Sequence, residues 1–116
     1  MHLVFFRNPA CVLAEVSGEL DLSTAGPFRD KVDRELIRTG SPNLVLNLQN
    51  LEFIDSTGLG ALLGRHRQVT ASGGKFILAA LPPKVVSMID MAGLSSVLQI
   101  VRSQEDALGL LGGASS

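Results

Sequence analysis

The sequence predicts an α/β fold, a single domain with a mixed, mostly parallel sheet of four to five strands and about four helices. Three observations predict it. Short apolar runs alternate along the chain with stretches whose apolar residues recur at helical spacing. The first two apolar runs are parted only by Asn8-Pro9, so the alternation begins with a hairpin. Each helical stretch after them is followed by a turn signal such as Gly40-Ser41-Pro42 or Gly73-Gly74, as crossover connections between parallel strands require. The chain has 116 residues, 46% of them hydrophobic, which is enough for one core and too little for two.

The elements follow in order. His2 to Phe6 is a short strand and Cys11 to Val16 its hairpin partner, ending in Ser17-Gly18-Glu19-Leu20-Asp21, an exposed strand end with two carboxylates around Leu20. From Ser23 or Thr24 to Thr39, Ala25, Phe28, Val32 and Leu36 share one side, which predicts an amphipathic helix capped by one of the two hydroxyls and ended by Gly40. Asn43 to Leu48 alternates as a central strand and feeds the segment from Leu51 onward. There a short apolar run gives way at Asp55-Ser56-Thr57-Gly58 to a helix whose apolar stripe is Leu59, Leu62, Leu63, His66 and Val69. Ala71 to Gly74 closes that helix, and Lys75 to Ala80 is a buried strand stopped by Leu81-Pro82-Pro83. A third helix carries Val85, Met88, Ile89 and Ala92, a last strand runs from Val97 to Val101, and a last helix spans Ser103 to Leu111 with Ser103 and Asp106 placed as a capping box. The domain therefore spans residues 1–111, and 112–116 is expected to be a flexible C-terminal tail.

Composition excludes several classes of function. Ten basic and eleven acidic residues leave a formal net charge of -1, with no drive toward nucleic acid or an anionic membrane. No apolar run approaches the ~20 residues of a membrane span, and no signal-peptide pattern opens the chain. The single cysteine, Cys11, supports neither an internal disulfide nor a multi-cysteine metal site, which points to a cytoplasmic protein without a metal or cofactor.

Two stretches stand out. Asp55-Ser56-Thr57-Gly58 opens a helix, where unpartnered backbone N–H groups and the helix dipole accommodate a hydroxyl or an attached phosphate; as local structure alone, Ser56 or Thr57 is an N-cap. Opposite the apolar stripe of that helix, a helical projection places Thr57, Gly60, Ala61, Gly64, Gln68 and Ala71. A solvated face normally carries Lys and Glu, and each helical glycine costs ~1 kcal/mol relative to alanine. This small, uncharged face suits close approach of another backbone, or packing within the domain. Gly18-Glu19-Leu20-Asp21 also follows a strand, so both stretches are expected on one rim at the carboxyl ends of the strands.

Catalytic chemistry finds little support. Ser56 lacks the nucleophile elbow, because Ile54 occupies the place of its first glycine. His66 lies on the apolar stripe, where a structural histidine is expected, and Gly58, Gly60 and Gly64 do not keep the dinucleotide-binding spacing. A phosphoaspartate receiver would need further acids beside Asp55 to hold Mg²⁺, and the first strand supplies none.

Gly18-Glu19-Leu20-Asp21 with Thr24-Ala25, then Phe53-Ile54-Asp55-Ser56-Thr57-Gly58-Leu59-Gly60 and Gly64-Arg65, closely resembles the bacterial anti-sigma factor antagonists of the STAS domain family. The resemblance covers nearly the whole chain. It implies a non-enzymatic switch in transcription regulation, of the kind used in stress response and sporulation. The unphosphorylated antagonist captures an anti-sigma factor, itself a serine kinase of the histidine-kinase-like ATPase fold, and frees the sigma factor. The kinase phosphorylates the serine after the motif aspartate, which is Ser56 here, and a PP2C-type phosphatase reverses the step. The implied partner surface comprises Glu19, Asp21, Asp55, Ser56, Thr57, Gly58, Gly60, Ala61, Gly64 and Gln68. Thr57 stands where many relatives have a second serine, and His66 where an aromatic is common. The alternative is a STAS scaffold or ligand-sensing module within a larger signalling assembly.

Overall fold

Helices and strands alternate as the apolar pattern requires. The chain runs β1 (His2–Phe6), β2 (Val12–Leu20), α1 (Ala25–Thr39), β3 (Leu44–Asn47), β4 (Leu51–Ile54), α2 (Ser56–Ala71), β5 (Phe76–Ala79), α3 (Pro83–Met91), β6 (Gln99–Val101) and α4 (Gln104–Leu111). This computed structural model describes residues 1–112; beyond Gly112, the tail expected at 112–116 lies outside the described residues.

The sheet is ordered β1-β2-β3-β5-β6, with β4 also paired to β2. β1 and β2 form the expected antiparallel hairpin, and every other pairing is parallel. β2 runs on through Ser17-Gly18-Glu19-Leu20, beyond the Val16 boundary read from its apolar run. That length lets it serve two neighbours in turn: Val12 to Glu15 pair with β3, and Gly18 to Leu20 pair with β4. Between β3 and β4 the chain leaves the sheet in a tight turn, with Asn47 Oδ1 accepting the Gln49 amide at 2.9 Å and the Leu51 amide donating to Leu48 O at 3.0 Å. Among the described residues the sheet therefore has six strands in five lanes, where four to five strands were expected.

Alternating side chains divide the core between the two faces. Val12, Ala14, Val16, Leu44, Leu46, Phe76 and Leu78 pack with Phe28 and Val32 of α1, Leu62 and Val69 of α2, and Val85 and Ile89 of α3. On the opposite face Cys11, Leu13, Val45, Ile77 and Ala79 pack with Ala107 of α4. β3 and β5 are buried on both faces, so they read as continuous apolar runs. Cys11 is buried just ahead of β2, and burial pushes its thiol up to about 11. It is a structural residue.

Two further details differ from the sequence reading. β6 begins at Gln99, because the Val97 and Leu98 amides both bond back to Leu94 O and form a turn. α1 is not capped by the Ser23 or Thr24 hydroxyl; the carboxylate of Asp21 accepts from the Ser23 amide at 3.0 Å and the Thr24 amide at 3.2 Å. Ser103 does cap α4, accepting the Asp106 amide at 3.0 Å.

Candidate partner-docking site

The site is built on Asp55. It holds an extended conformation (φ -108°, ψ -174°) at the end of β4 and is the N-cap of α2, its Oδ1 accepting the Gly58 amide at 2.9 Å. The expected cap, Ser56 or Thr57, is thus replaced by the residue before them. The reason is geometric, since the carboxylate reaches the third helical N–H from the cap position while Ser56 and Thr57 already have helical backbones. Ser56 is exposed at the first helical position, and its hydroxyl is not needed to hold the helix.

The second carboxylate oxygen of Asp55 ties in the other motif. Oδ2 accepts the Leu22 amide at 3.2 Å, and the Asp55 amide donates to Leu20 O at 3.3 Å. Parallel pairing of Leu20 with Ile54 puts the two strand ends side by side. The Gly18-to-Asp21 and Asp55-to-Gly58 stretches therefore share one rim.

The turn after β2 is held by its own polar groups. Asp21 Oδ1 accepts from the Ser23 hydroxyl at 2.8 Å as well as from the two amides, while Thr24 Oγ1 donates to Glu19 O at 2.9 Å and accepts the Asp21 amide at 2.9 Å. The Ser23 hydroxyl bond, with the Ser23 and Thr24 amides behind it, holds the Asp21 carboxyl below its ordinary value. Asp21 stays ionised near the rim, and the Glu19 side chain points to solvent.

Along α2 the candidate residues divide. Ser56, Gly60 and Gln68 are exposed, Thr57 and Gly64 half-buried, and a Cβ at Gly60 or Gly64 would meet nothing within 4 Å. Gly58 and Ala61, expected on the partner face, instead point inward. Ala61 is 2% exposed, and a Cβ on Gly58 would lie 2.1 Å from Leu20 O. The packed face is rotated from the predicted stripe because α2 rests on α1 as well as on the sheet. Arg65 marks this contact, buried to 8% exposure with its Nε 3.0 Å from Asp33 Oδ1 of α1. His66 is structural, edge-on to Phe76 with ring centroids 6.2 Å apart.

Sequence reasoning missed the apolar border of this rim. Leu22 is 77% exposed beside Asp55, and on the other side a groove between α2 and α3 is lined by Ser56, Leu59, Met88 and Met91. The signal was present in Met91, three residues after Met88, which continues the α3 stripe past the point where the core needs it.

No group of three or more potential metal-binding side chains occurs among the described residues, and no helix there is long and apolar enough to cross a membrane. What the rim offers is an exposed serine on a helix N-terminus, flanked by the carboxylates of Asp21 and Asp55, small residues and apolar edges. Fold and rim together define a small α/β module with a candidate docking surface centred on a helix start. The chain belongs to the STAS domain family, whose model matches residues 4–107. It is 35% identical over 97 residues to the anti-sigma F factor antagonist of Paenibacillus polymyxa, covering 84% of this chain and 83% of that one. It is 28% identical to the anti-sigma-B factor antagonist of Bacillus subtilis (strain 168), covering 85% and 89% respectively. Among solved structures it resembles the anti-sigma factor antagonist SpoIIAA in its unphosphorylated form, with a TM-score of 0.81, 26% identity and 97% of each chain covered.

Proposed function

We propose that this chain is an anti-sigma factor antagonist of the cytoplasm, controlled by phosphorylation of Ser56. The unmodified protein captures an anti-sigma factor that is also a serine kinase of the histidine-kinase-like ATPase fold, and the sigma factor is freed. The kinase transfers phosphate to Ser56, capture ends, and a PP2C-type phosphatase restores the active form. The observation that carries this reading is Ser56 itself, exposed at the first position of α2 with the capping task taken by Asp55. Its hydroxyl can be modified without removing a bond on which the fold depends.

The rim explains how such a switch acts. Exposed Glu19, Ser56, Gly60 and Gln68, with half-buried Asp21, Asp55, Thr57 and Gly64, make a surface that a partner backbone can approach closely. Phosphorylation adds about -1.5 to -2 charges beside Asp55 and near Asp21. The helix N-terminus tolerates that charge, while a partner surface complementary to the unmodified rim is repelled and sterically excluded. The switch is therefore local, without a change of fold.

Phosphosite mapping on the protein from its native cells, in growth and under stress and with co-purifying proteins identified, tests the reading. The expected result is condition-dependent phosphate on Ser56 and an ATPase-fold kinase bound only to the unmodified form. Ser56→Ala should remain bound, and Ser56→Asp should weaken capture. A serine unmodified in every condition, with no kinase recovered, would overturn the proposal and favour the scaffold reading.

A further inference from the structure

Beside Ser56 the rim turns from polar groups to thioethers. Met91, the last residue of α3, is 86% exposed, and with Met88 it forms the α3 wall of the groove that reaches Ser56 and Leu59. Met88 and Met1 are half-buried and pack against the core. Other large apolar side chains are as open, Leu22 at 77% and Ile37 at 80%, yet hydrocarbon side chains are inert to peroxide. Met91 is thus the exposed large apolar residue, among those described, whose polarity an oxidant can change. Thioether oxidation yields a polar, chiral sulfoxide, which disrupts methionine-rich contacts and is reversed by sulfoxide reductases.

We propose that Met91, with Met88 behind it, is a reversible oxidation site through which hydroperoxide weakens capture of the anti-sigma kinase, independently of Ser56. This inference rests on the docking function proposed above. In the reaction the sulfur lone pair attacks one oxygen of hydrogen peroxide, the S–O bond forms and the O–O bond breaks. The departing oxygen leaves as water once protons are redistributed; the thioether is oxidised by two electrons and the peroxide reduced by two. A methionine at the rim sheds its water on docking, and a sulfoxide oxygen in the same place would lose its hydrogen bonds to water without gaining a partner. The contact is weakened with no change of net charge. It adds a second negative control to the same surface.

The test combines peptide mapping with binding. The wild type, Met91→Leu and Met88→Leu/Met91→Leu are treated with graded hydrogen peroxide, and oxygen uptake at Met1, Met88 and Met91 is followed by mass spectrometry. Affinity is then measured for the purified kinase identified by the co-purification described above. The expected result is oxidation of Met91 ahead of Met88 and Met1, with an about tenfold loss of wild-type affinity that a sulfoxide reductase restores. Treated and untreated forms of the double variant should bind alike, whatever their starting affinity. Faster oxidation of Met1 or Met88, unchanged affinity after complete oxidation of Met91, or a peroxide effect that survives in the double variant would each overturn the inference while leaving the docking function standing. Failure of untreated wild type to bind the kinase would instead remove the docking function, and this inference with it.

Discussion

Gly58→Ala tests how α2 is seated. A Cβ at this position would lie 2.1 Å from Leu20 O, 2.9 Å from Leu20 C and 2.8 Å from Ile54 Cγ1. Carbon and carbonyl oxygen approach to roughly 3.3 Å in ordinary weak contacts, so the start of α2 must retreat by about 1 Å. Two of the three obstructing atoms are backbone, which no rotamer change can move aside. The same Leu20 carbonyl accepts the Asp55 amide at 3.3 Å, so the retreat stretches a bond that is already long. Overpacking of this kind costs ~1–3 kcal/mol, and replacing glycine in a helix returns at most ~1 kcal/mol. The net expectation is a destabilisation of about 1–2 kcal/mol, or roughly 5–10 °C in Tm for a domain of this size. Gly60→Ala and Gly64→Ala are the matched controls, since nothing lies within 4 Å of either new Cβ. They should gain ~0.5–1 kcal/mol from helix propensity. Urea and thermal unfolding followed by circular dichroism measure all three. A Gly58→Ala variant as stable as the wild type, or controls that lose as much as it does, would refute the reasoning.

Other consequences can be read in the same way. Asp55→Ala removes the cap on Gly58 and the tie to Leu22 together, and should cost ~1–2 kcal/mol by urea unfolding, with faster amide exchange at Leu22 and Gly58. Asp33→Ala leaves the Arg65 guanidinium buried without its counter-charge and should destabilise by about 1–2 kcal/mol, less than for a fully buried pair because Asp33 is partly solvated; Arg65→Met should stay within ~1 kcal/mol of the wild type in the same assay. Asp21 binds its proton less readily in the folded than in the unfolded chain, so its stabilising contribution is present above its ordinary value of 3.8 and lost as pH falls through the lowered one. Amide shifts of Ser23 and Thr24 followed by NMR should move in that acid range and not near neutrality. Gly64→Lys should keep the unfolding free energy within ~1 kcal/mol of the wild type and impair the proposed kinase capture, because it places a long cation on the open face of α2.

Most elements were legible because burial imposes its period on the chain. Ala25, Phe28 and Val32 mark the inner side of α1, and the continuous runs of β3 and β5 reflect sheet faces covered on both sides. The exchange of β3 for β4 along β2 was not legible in the same way. It depends on a long strand meeting two neighbours in turn, and Gln49-Asn50 is only a turn signal without knowledge of that partner. The helix face failed for a different reason. Gly58 and Ala61 are as small as Gly60 and Gly64, and a small residue fits a tight internal contact as well as an open surface. Arg65 compounds the difficulty, since a guanidinium is usually read as outward and turns inward here because Asp33 waits across α1. The capping aspartate was hidden by its neighbours, because Asp55, Ser56 and Thr57 can each cap a helix and only the backbone angles choose among them.

The division of α2 into two sides accounts for how one helix can be both anchored and exposed at its start. Gly58, Ala61, Leu62, Arg65 and Val69 bind it to the sheet and to α1, and Asp55 fixes its first turn to the end of β2. The serine between cap and first buried residue makes none of those attachments. A charge added there meets a helix start held by those attachments, whose rearrangement would cost the bonds of Asp55 to Gly58 and Leu22. It must be felt by whatever approaches the rim. In the switch proposed above, this anchoring beneath Ser56 would convert a small covalent change into a difference in binding, and perturbing Gly58 should then affect capture as well as stability.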